Sequence, residues 1–262
     1  MRRFVVVVTA LLVAAGAWYY MRGMNEPPPT ESAVEQPEEW LDDLYSQNPR
    51  EVERASEEVA ALGARALPTI QATLRNPDTE AERLKAALKA CGIIGQASAP
   101  AIPEVAALLV EPGVTSEAAV ALSYMGREAL LPLRDSLTNS DPVVRREALR
   151  SIGKLKDRAP LEIGVVFPLL VRGMSDADAG VRAVGATYLG IIHGAEEQAV
   201  PTLTKGLEDP DPEVRRASAA ALGAFGTGAE PALPALRKAS TDRNEDVARE
   251  AGRTIVKLQT QR

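Results

Sequence analysis

The fold can be inferred from residues 211–226, which read Asp211-Pro-Glu-Val-Arg-Arg-Ala-Ser-Ala-Ala-Ala-Leu-Gly-Ala-Phe-Gly226. Related phrases begin at Asp141 and Asp178. Prolines also recur along the chain at intervals of 29 to 36 residues, at Pro68, Pro103, Pro132, Pro168, Pro201 and Pro234. A sequence that repeats with a period of about 33 residues predicts an array of similar units, each stacked on its neighbours.

Each unit is predicted to be a pair of helices. An aspartate such as Asp211 suits the N-cap of the first helix, and a proline in the first turn loses no hydrogen bond there. Apolar and small residues then recur at helical spacing, and a glycine such as Gly126 or Gly226 suits a left-handed helix end. The second helix is expected to open with proline, as at Pro231 and Pro234.

These signals predict an all-α fold, an α-solenoid of about six helix hairpins over residues 48–262. Much of the apolar content is alanine, which suits closely stacked helices. We call the hairpins units 1 to 6. They are expected at residues 48–76, 77–110, 111–140, 141–176, 177–209 and 210–240, with 241–262 as a last helix.

The phrase Asp-Pro-x-Val-Arg-x-x-Ala-x-x-Ala-Leu-Gly-x-Phe-Gly resembles the short HEAT repeat of the phycobilisome-lyase type. Families with this repeat include bilin lyases and their chaperones, the iron-dependent deoxyhypusine hydroxylase and many scaffolds. The resemblance implies that the repeated aspartates and arginines bridge adjacent units as a structural ladder, rather than forming a metal or acid–base site. The residues concerned are Asp141, Arg145, Asp178, Arg182, Asp211 and Arg215.

The sequence does not favour a metal or another cofactor. The hydroxylase binds iron through several His-Glu dipeptides, whereas this chain has one histidine, His193, and Gly194 follows it. A lone histidine near a helix end is expected to have a capping or surface role. The one cysteine, Cys91, stands where the phrase has Leu222, so a buried apolar role is expected, with a bilin-carrying or redox role as the alternative.

The N-terminal residues 1–22 predict a transmembrane anchor or a signal peptide. Phe4–Met21 is an uncharged, mostly apolar run, and as a helix it would span roughly 27 Å. Arg2 and Arg3 precede it, so the positive-inside rule keeps the N-terminus in the cytoplasm. We expect a single-pass protein of the cell membrane with extracytoplasmic repeats, or a secreted or periplasmic one after cleavage near Ala17.

Two segments are expected between the membrane segment and the repeats. Residues 23–39 are acidic and rich in proline, which predicts an extended linker. Residues 40–47 place Trp40, Leu41, Leu44 and Tyr45 on one helical face. We interpret them as a capping helix over the exposed end of unit 1, with a partner-docking segment as the alternative.

Charge and aromatic content bear on the choice of partner. Residues 48–262 hold 29 acidic and 27 basic side chains and four aromatic ones, which gives little attraction for nucleic acid. A basic stripe is expected on the first helix of unit 4. It is either a solvated face or a docking site for an acidic partner or anionic lipid. Its residues are Arg146, Arg150 and Lys154 on the helix, with Lys156 and Arg158 expected in the loop that follows.

The sequence therefore favours a scaffold or adaptor that binds protein and has no catalysis of its own. It is expected to be tethered to the membrane on the extracytoplasmic side. The resemblance to the lyase repeats supplies an alternative, a bilin lyase or chaperone that handles a tetrapyrrole-bearing partner. A third possibility is a passive spacer within an envelope assembly.

Overall fold

The computed structural model describes residues 39–159, 161–192 and 194–260. The predicted membrane or signal segment, nearly all of the predicted linker, and His193 lie outside the described residues. Fourteen α-helices lie within them. They are α1 (Glu39–Asp43), α2 (Pro49–Leu62), α3 (Leu67–Arg75), α4 (Ala81–Ile94), α5 (Ile102–Ala107), α6 (Thr115–Leu122), α7 (Leu130–Ser136), α8 (Pro142–Arg158), α9 (Ile163–Gly173), α10 (Ala179–Ile191), α11 (Glu196–Gly206), α12 (Pro212–Ala224), α13 (Leu233–Ala239) and α14 (Glu245–Thr260).

The helices form six consecutive hairpins and a last helix. The pairs run from α2 and α3 in unit 1 to α12 and α13 in unit 6, and α14 follows. Each first helix packs on the first helix of the next unit, so α2, α4, α6, α8, α10, α12 and α14 make one row. The predicted all-helical solenoid is thereby confirmed.

Residues 39–47 differ in part from the predicted capping helix. The helix spans only Glu39–Asp43, and the chain then turns before Asn48, whose side chain caps α2. Trp40, Leu41 and Leu44 are buried in the core at this end of the row, whereas Tyr45 is exposed. Three of the four apolar side chains are thus part of the common core, and the fourth remains on the surface.

The predicted signals for helix starts and ends are found at several boundaries. Asp141, Asp178 and Asp211 each accept a hydrogen bond from a backbone N–H in the first turn of their helix. Glycines with positive φ follow the first helices of units 1 and 2, and Gly126 and Gly226 have φ of 94° and 53°. Such backbone angles suit glycine because it has no Cβ.

Unit 4 lacks this glycine, and its first helix is longer. In unit 4, Lys156 stands 15 residues after Asp141. In unit 6, the same position, 15 residues after Asp211, is Gly226. Helix α8 continues through this position to Arg158 and reaches 17 residues, against 13 in α12. Arg158 lies in this additional turn, which has no counterpart in α12.

Two second helices do not begin at their proline as expected. Pro168 and Pro201 are each the sixth residue of their helix, because α9 and α11 begin five residues earlier, at Ile163 and Glu196. A proline at an interior position cannot donate the usual backbone hydrogen bond. Pro68, Pro103 and Pro234 do lie in the first turn, as predicted, whereas Pro231 lies in a 3₁₀ helix, Gly226–Ala232, that precedes α13.

One described stretch, Ala81–Val110, is apolar and long enough to cross a membrane by composition and length. Its chain is not one continuous α-helix. Helix α4 ends before Gly95, which has φ of 66°, and α5 begins at Ile102. Leu88 and Val105, one from each helix, are buried in the common core. The stretch is therefore the helix hairpin of unit 2.

Candidate functional site

Three arginines bridge the successive loops that lie between units, each through paired hydrogen bonds. Arg145 donates from Nε and Nη2 to the Asp176 carboxylate at 2.9 and 2.7 Å. Arg182 donates in the same way to Asp209, at 2.8 Å for both bonds. Arg215 donates to Asp242 at 2.8 and 2.9 Å, and its side chain is only 8% exposed. Two parallel N–H···O bonds per pair fix the orientation as well as the distance.

The predicted ladder therefore has the expected arginines but different aspartates. Asp141, Asp178 and Asp211 do not form the bridges, because their carboxylates accept from amides of their own helices. The bridging carboxylates belong to the loop residue two positions before the next N-cap. The spacing of Asp209 and Asp211, repeated at Asp176 and Asp178, is a sequence signal that would have identified them.

Each ladder arginine also binds the loop before its own helix. Nη1 of Arg182 donates to the carbonyls of Asp176 and Ala177, and Arg145 and Arg215 make the equivalent bonds. Each guanidinium thus holds two successive loops together. This use of all three of its nitrogens indicates a structural role.

The ladder explains most of the shifted carboxylate pKa values. Hydrogen bonds from Arg145 and Arg215 lower the pKa of Asp176 and Asp242. Burial acts to raise the pKa of Asp209, but hydrogen bonds from Arg182 and from a backbone amide outweigh it, and that pKa is also lowered. These carboxylates stay ionised and paired, so they are poor candidates for general acids.

The remaining candidates for catalysis or metal binding are the Cys91 thiol and clusters of possible metal ligands. Cys91 is fully buried, and burial raises the pKa of its thiol to about 12. Within residues 39–159, 161–192 and 194–260, no group of three His, Cys, Asp or Glu side chains is placed to hold a metal ion. The buried thiol agrees with the expected apolar role of Cys91.

The basic stripe lies on α8, but its members have different surroundings. The Nε atoms of Arg146 and Arg150 lie 3.4 and 3.3 Å from the carboxylate oxygens of Glu147, whose side chain is 12% exposed. Burial lowers the pKa of Lys154, and the charges of Arg150 and Arg158 lower it further. Arg146, Arg150, Lys154 and Arg158 recur every four residues and share a face, which Lys156 does not.

Arg158 connects the stripe to the preceding unit. Its guanidinium lies 3.7 Å from the centre of the Tyr124 ring. It also donates to the Ser123 hydroxyl at 2.7 Å and to the Tyr124 hydroxyl at 3.0 Å. The contact is possible because α8 has its additional turn. A cation over an aromatic face is an attractive arrangement, and here it fixes a charge beside an exposed ring.

An open apolar groove of about 660 Å³ lies beside this contact, between α4 and α6. Gly92 forms part of its wall, and Tyr45, Val120 and Tyr124 line it with side chains that are 37 to 40% exposed. Lys85, Lys89 and one acid, Glu117, complete its polar edge. We call this feature the Tyr124 groove. No local sequence pattern marks this groove, because its aromatic residues come from separate segments, at residues 45 and 124.

Comparison with known proteins agrees with this architecture. Residues 167–255 match the family described as HEAT repeats. A search of curated proteins gives no match. The crystal structure of a Kap121p mutant is similar with a TM-score of 0.63 and 15% identity, over 84% of this chain and 28% of that one.

A second similar structure is the complex of CpcE and CpcF of phycocyanin lyase from Nostoc sp. PCC7120. Its TM-score is 0.51 and its identity 20%, over 59% of this chain and 98% of that one. The predicted HEAT repeat is confirmed by these matches. At such identities the two structures show the fold alone, and a repeat scaffold of this kind suggests protein binding.

Proposed function

We propose that this HEAT repeat protein is a non-catalytic scaffold that holds a partner protein on its row of first helices. The observation that carries the proposal is the surface along α4, α6 and α8. There an exposed apolar groove adjoins a group of cations that includes Lys154 and Arg158. Apolar surface bordered by charge is typical of a protein interface.

The size of the row suits this function. A standard interface buries about 800 Å² on each partner, which is within reach of two or three adjacent units. The ladder begins at Arg145 on α8, so the α8 side of this surface is held in register with units 5 and 6. A preorganised surface loses little conformational entropy on binding.

The proposal includes a membrane tether. The sequence supports it through the apolar run Phe4–Met21, with Arg2 and Arg3 before it and the acidic residues 23–39 after it. The repeats would then be extracytoplasmic. Fractionation of cells should recover the full-length protein with membranes, and protease added to intact spheroplasts should digest the repeats. Recovery in the soluble cytoplasmic fraction would contradict the tether and leave the scaffold proposal standing.

The scaffold proposal is tested by crosslinked capture from native membranes with the full-length protein as bait. A second bait carries Lys154→Glu, and a matched control carries Lys257→Glu. Lys154 and Lys257 each stand 13 residues after the cap of their helix, Asp141 and Asn244, so they share a register. We expect a defined partner that Lys154→Glu loses and Lys257→Glu retains.

Arg146 and Arg150 are less suitable for this test, because both contact the largely buried Glu147. Reversing either charge would put a second carboxylate beside Glu147 and destabilise α8. Capture of no partner by folded wild-type protein would contradict the scaffold function and favour the passive spacer.

A further inference from the structure

The Tyr124 groove exists because one glycine of the repeat is left uncovered. Gly92, Gly153, Gly190 and Gly223 occupy the same position of their units. A Cβ at Gly153 would lie within 2.8 Å of atoms of the Tyr188 ring, and one at Gly190 would lie 2.6 Å from the backbone of Ala221. At those positions the helix of the next unit closes over the glycine.

Gly92 is different. A Cβ there would meet only Tyr124, at an ordinary contact distance of 3.7 Å, and the backbone of Gly92 does not have positive φ. Neither packing nor backbone conformation therefore requires glycine. Glycine inside a helix is less favourable than alanine by about 1 kcal/mol. What it leaves is room beside Tyr124, next to the exposed Val120.

The charges around this opening have one predominant sign. Lys85 lies 5.8 Å from the centre of the Tyr45 ring, and Lys89 donates to the Leu44 carbonyl at 3.0 Å. Arg158 covers Tyr124, and Lys154 lies near Arg150, Arg158 and the carboxylate of Glu147. Glu117 is the one acid that lines the groove among the described residues.

From this juxtaposition we propose that the Tyr124 groove binds an acidic peptide segment of the partner that presents a large apolar side chain. The apolar side chain enters beside Gly92, and the carboxylates face the surrounding lysines and arginines. The inference rests on the proposed protein binding and adds the site and the chemistry of the ligand. Apolar burial supplies affinity, while the charges favour acidic over basic segments.

Fluorescence anisotropy with the full-length protein tests this directly. The probe is a fluorescein-labelled dodecapeptide of glutamates around a central Phe-Leu pair. One control peptide replaces that pair with serines, and another replaces the glutamates with lysines. We expect only the first peptide to bind measurably, and its affinity should fall when salt rises from about 50 to about 500 mM.

Matched glycine variants locate the binding. Gly92→Leu fills the groove without backbone strain, and Gly252→Leu makes the same change in α14, where a Cβ meets nothing within 4 Å. We expect Gly92→Leu to weaken binding of the first peptide about tenfold or more, the equivalent of one lost apolar side chain. Gly252→Leu should bind as wild type, with both variants folded by circular dichroism.

Equal binding by Gly92→Leu and wild type would overturn the site, and equal binding of the lysine peptide would overturn the acidic specificity. Binding of anionic phospholipid vesicles, with no binding of the acidic peptide, would overturn the proposed peptide ligand. If partner capture succeeds but is insensitive to Gly92→Leu, the groove fails while the scaffold function stands. If capture itself fails in folded protein, the scaffold function fails independently of the peptide result.

Discussion

Cys91 shows at the residue scale how a position in the repeat sets chemical reactivity. It takes the place of Leu222, is fully buried and has a thiol pKa raised to about 12. At pH 8 only about one thiol in ten thousand would be ionised. We expect no reaction with a thiol reagent such as DTNB in native buffer and complete reaction in denaturant. Rapid labelling of native protein would contradict this burial.

Substitution of different glycines in the row of first helices should change the free energy of unfolding by different amounts, because their neighbours differ. At Gly190 an added Cβ would approach the Ala221 backbone, whereas at Gly252 it meets open space. We expect Gly190→Ala to lower the free energy of unfolding by about 2 kcal/mol through overpacking. Gly252→Ala should raise it by about 0.5 to 1 kcal/mol through helix propensity. Urea denaturation followed by circular dichroism measures both changes. A similar change for the two variants would contradict the close packing at Gly190.

At the scale of elements, the ladder sets how firmly consecutive units are joined. The side chains of Arg182 and Asp209 are both 13% exposed, so truncating one leaves the other charged and largely buried. We expect Asp209→Ala to cost about 3 kcal/mol of unfolding free energy. The control is Asp135→Ala, in an exposed pair with Arg134, which should change stability by less than about 0.5 kcal/mol. Equal losses would show that the ladder does not hold successive loops together.

The ladder also predicts how stability changes in acid. The folded pKa values of Asp176, Asp209 and Asp242 lie below the ordinary aspartate value of 3.8. Lowered carboxylate pKa values add stability that is complete above the unfolded pKa and is lost as pH falls through the folded ones. The free energy of unfolding should therefore drop below about pH 4.

The same measurement with Asp209→Asn isolates one pair, because Glu104 and Glu213 also have lowered pKa values and contribute to the wild-type curve. We expect the variant to lose less stability than wild type between about pH 5 and about pH 2. Parallel curves for the two proteins would be inconsistent with the assigned role of Asp209.

Sequence patterns predict individual elements better than contacts between them. Asp, Pro and Gly at fixed positions predicted the hairpins, since capping and helix ends depend on neighbours in the chain. The long α8 also has a local signal, Lys156 in the place of a glycine. The Tyr124 groove has no local sequence signal, because it depends on the distance between Tyr124 and Gly92 in the preceding unit.

At the scale of the whole helical body, the two halves differ in construction. The three bidentate ladder pairs begin at Arg145, in unit 4, and the match to HEAT repeats covers residues 167–255. The lengths of the second helices do not follow this division, since units 2, 3 and 6 have six or seven residues there, against 11 in units 4 and 5. In a linear array, each unit is stabilised mainly by its immediate neighbours.

We therefore expect amide hydrogen exchange to be slower in units 4 to 6 than in units 1 to 3. Low concentrations of denaturant should also expose Cys91, in unit 2, to DTNB before the helices of unit 5 unfold. Uniform exchange across all units, with Cys91 labelled only on global unfolding, would indicate one cooperative body instead.

The row of first helices is expected to bind its partner through the surface around Tyr124. The most direct test places a photo-crosslinking phenylalanine derivative at Val120 in the full-length protein and irradiates native membranes. The control has it at Ala220, which is also exposed and stands in the same register of unit 6. We predict a discrete protein adduct from Val120 and none from Ala220. No adduct from either position in folded protein, or equal adducts from both, would contradict the claim.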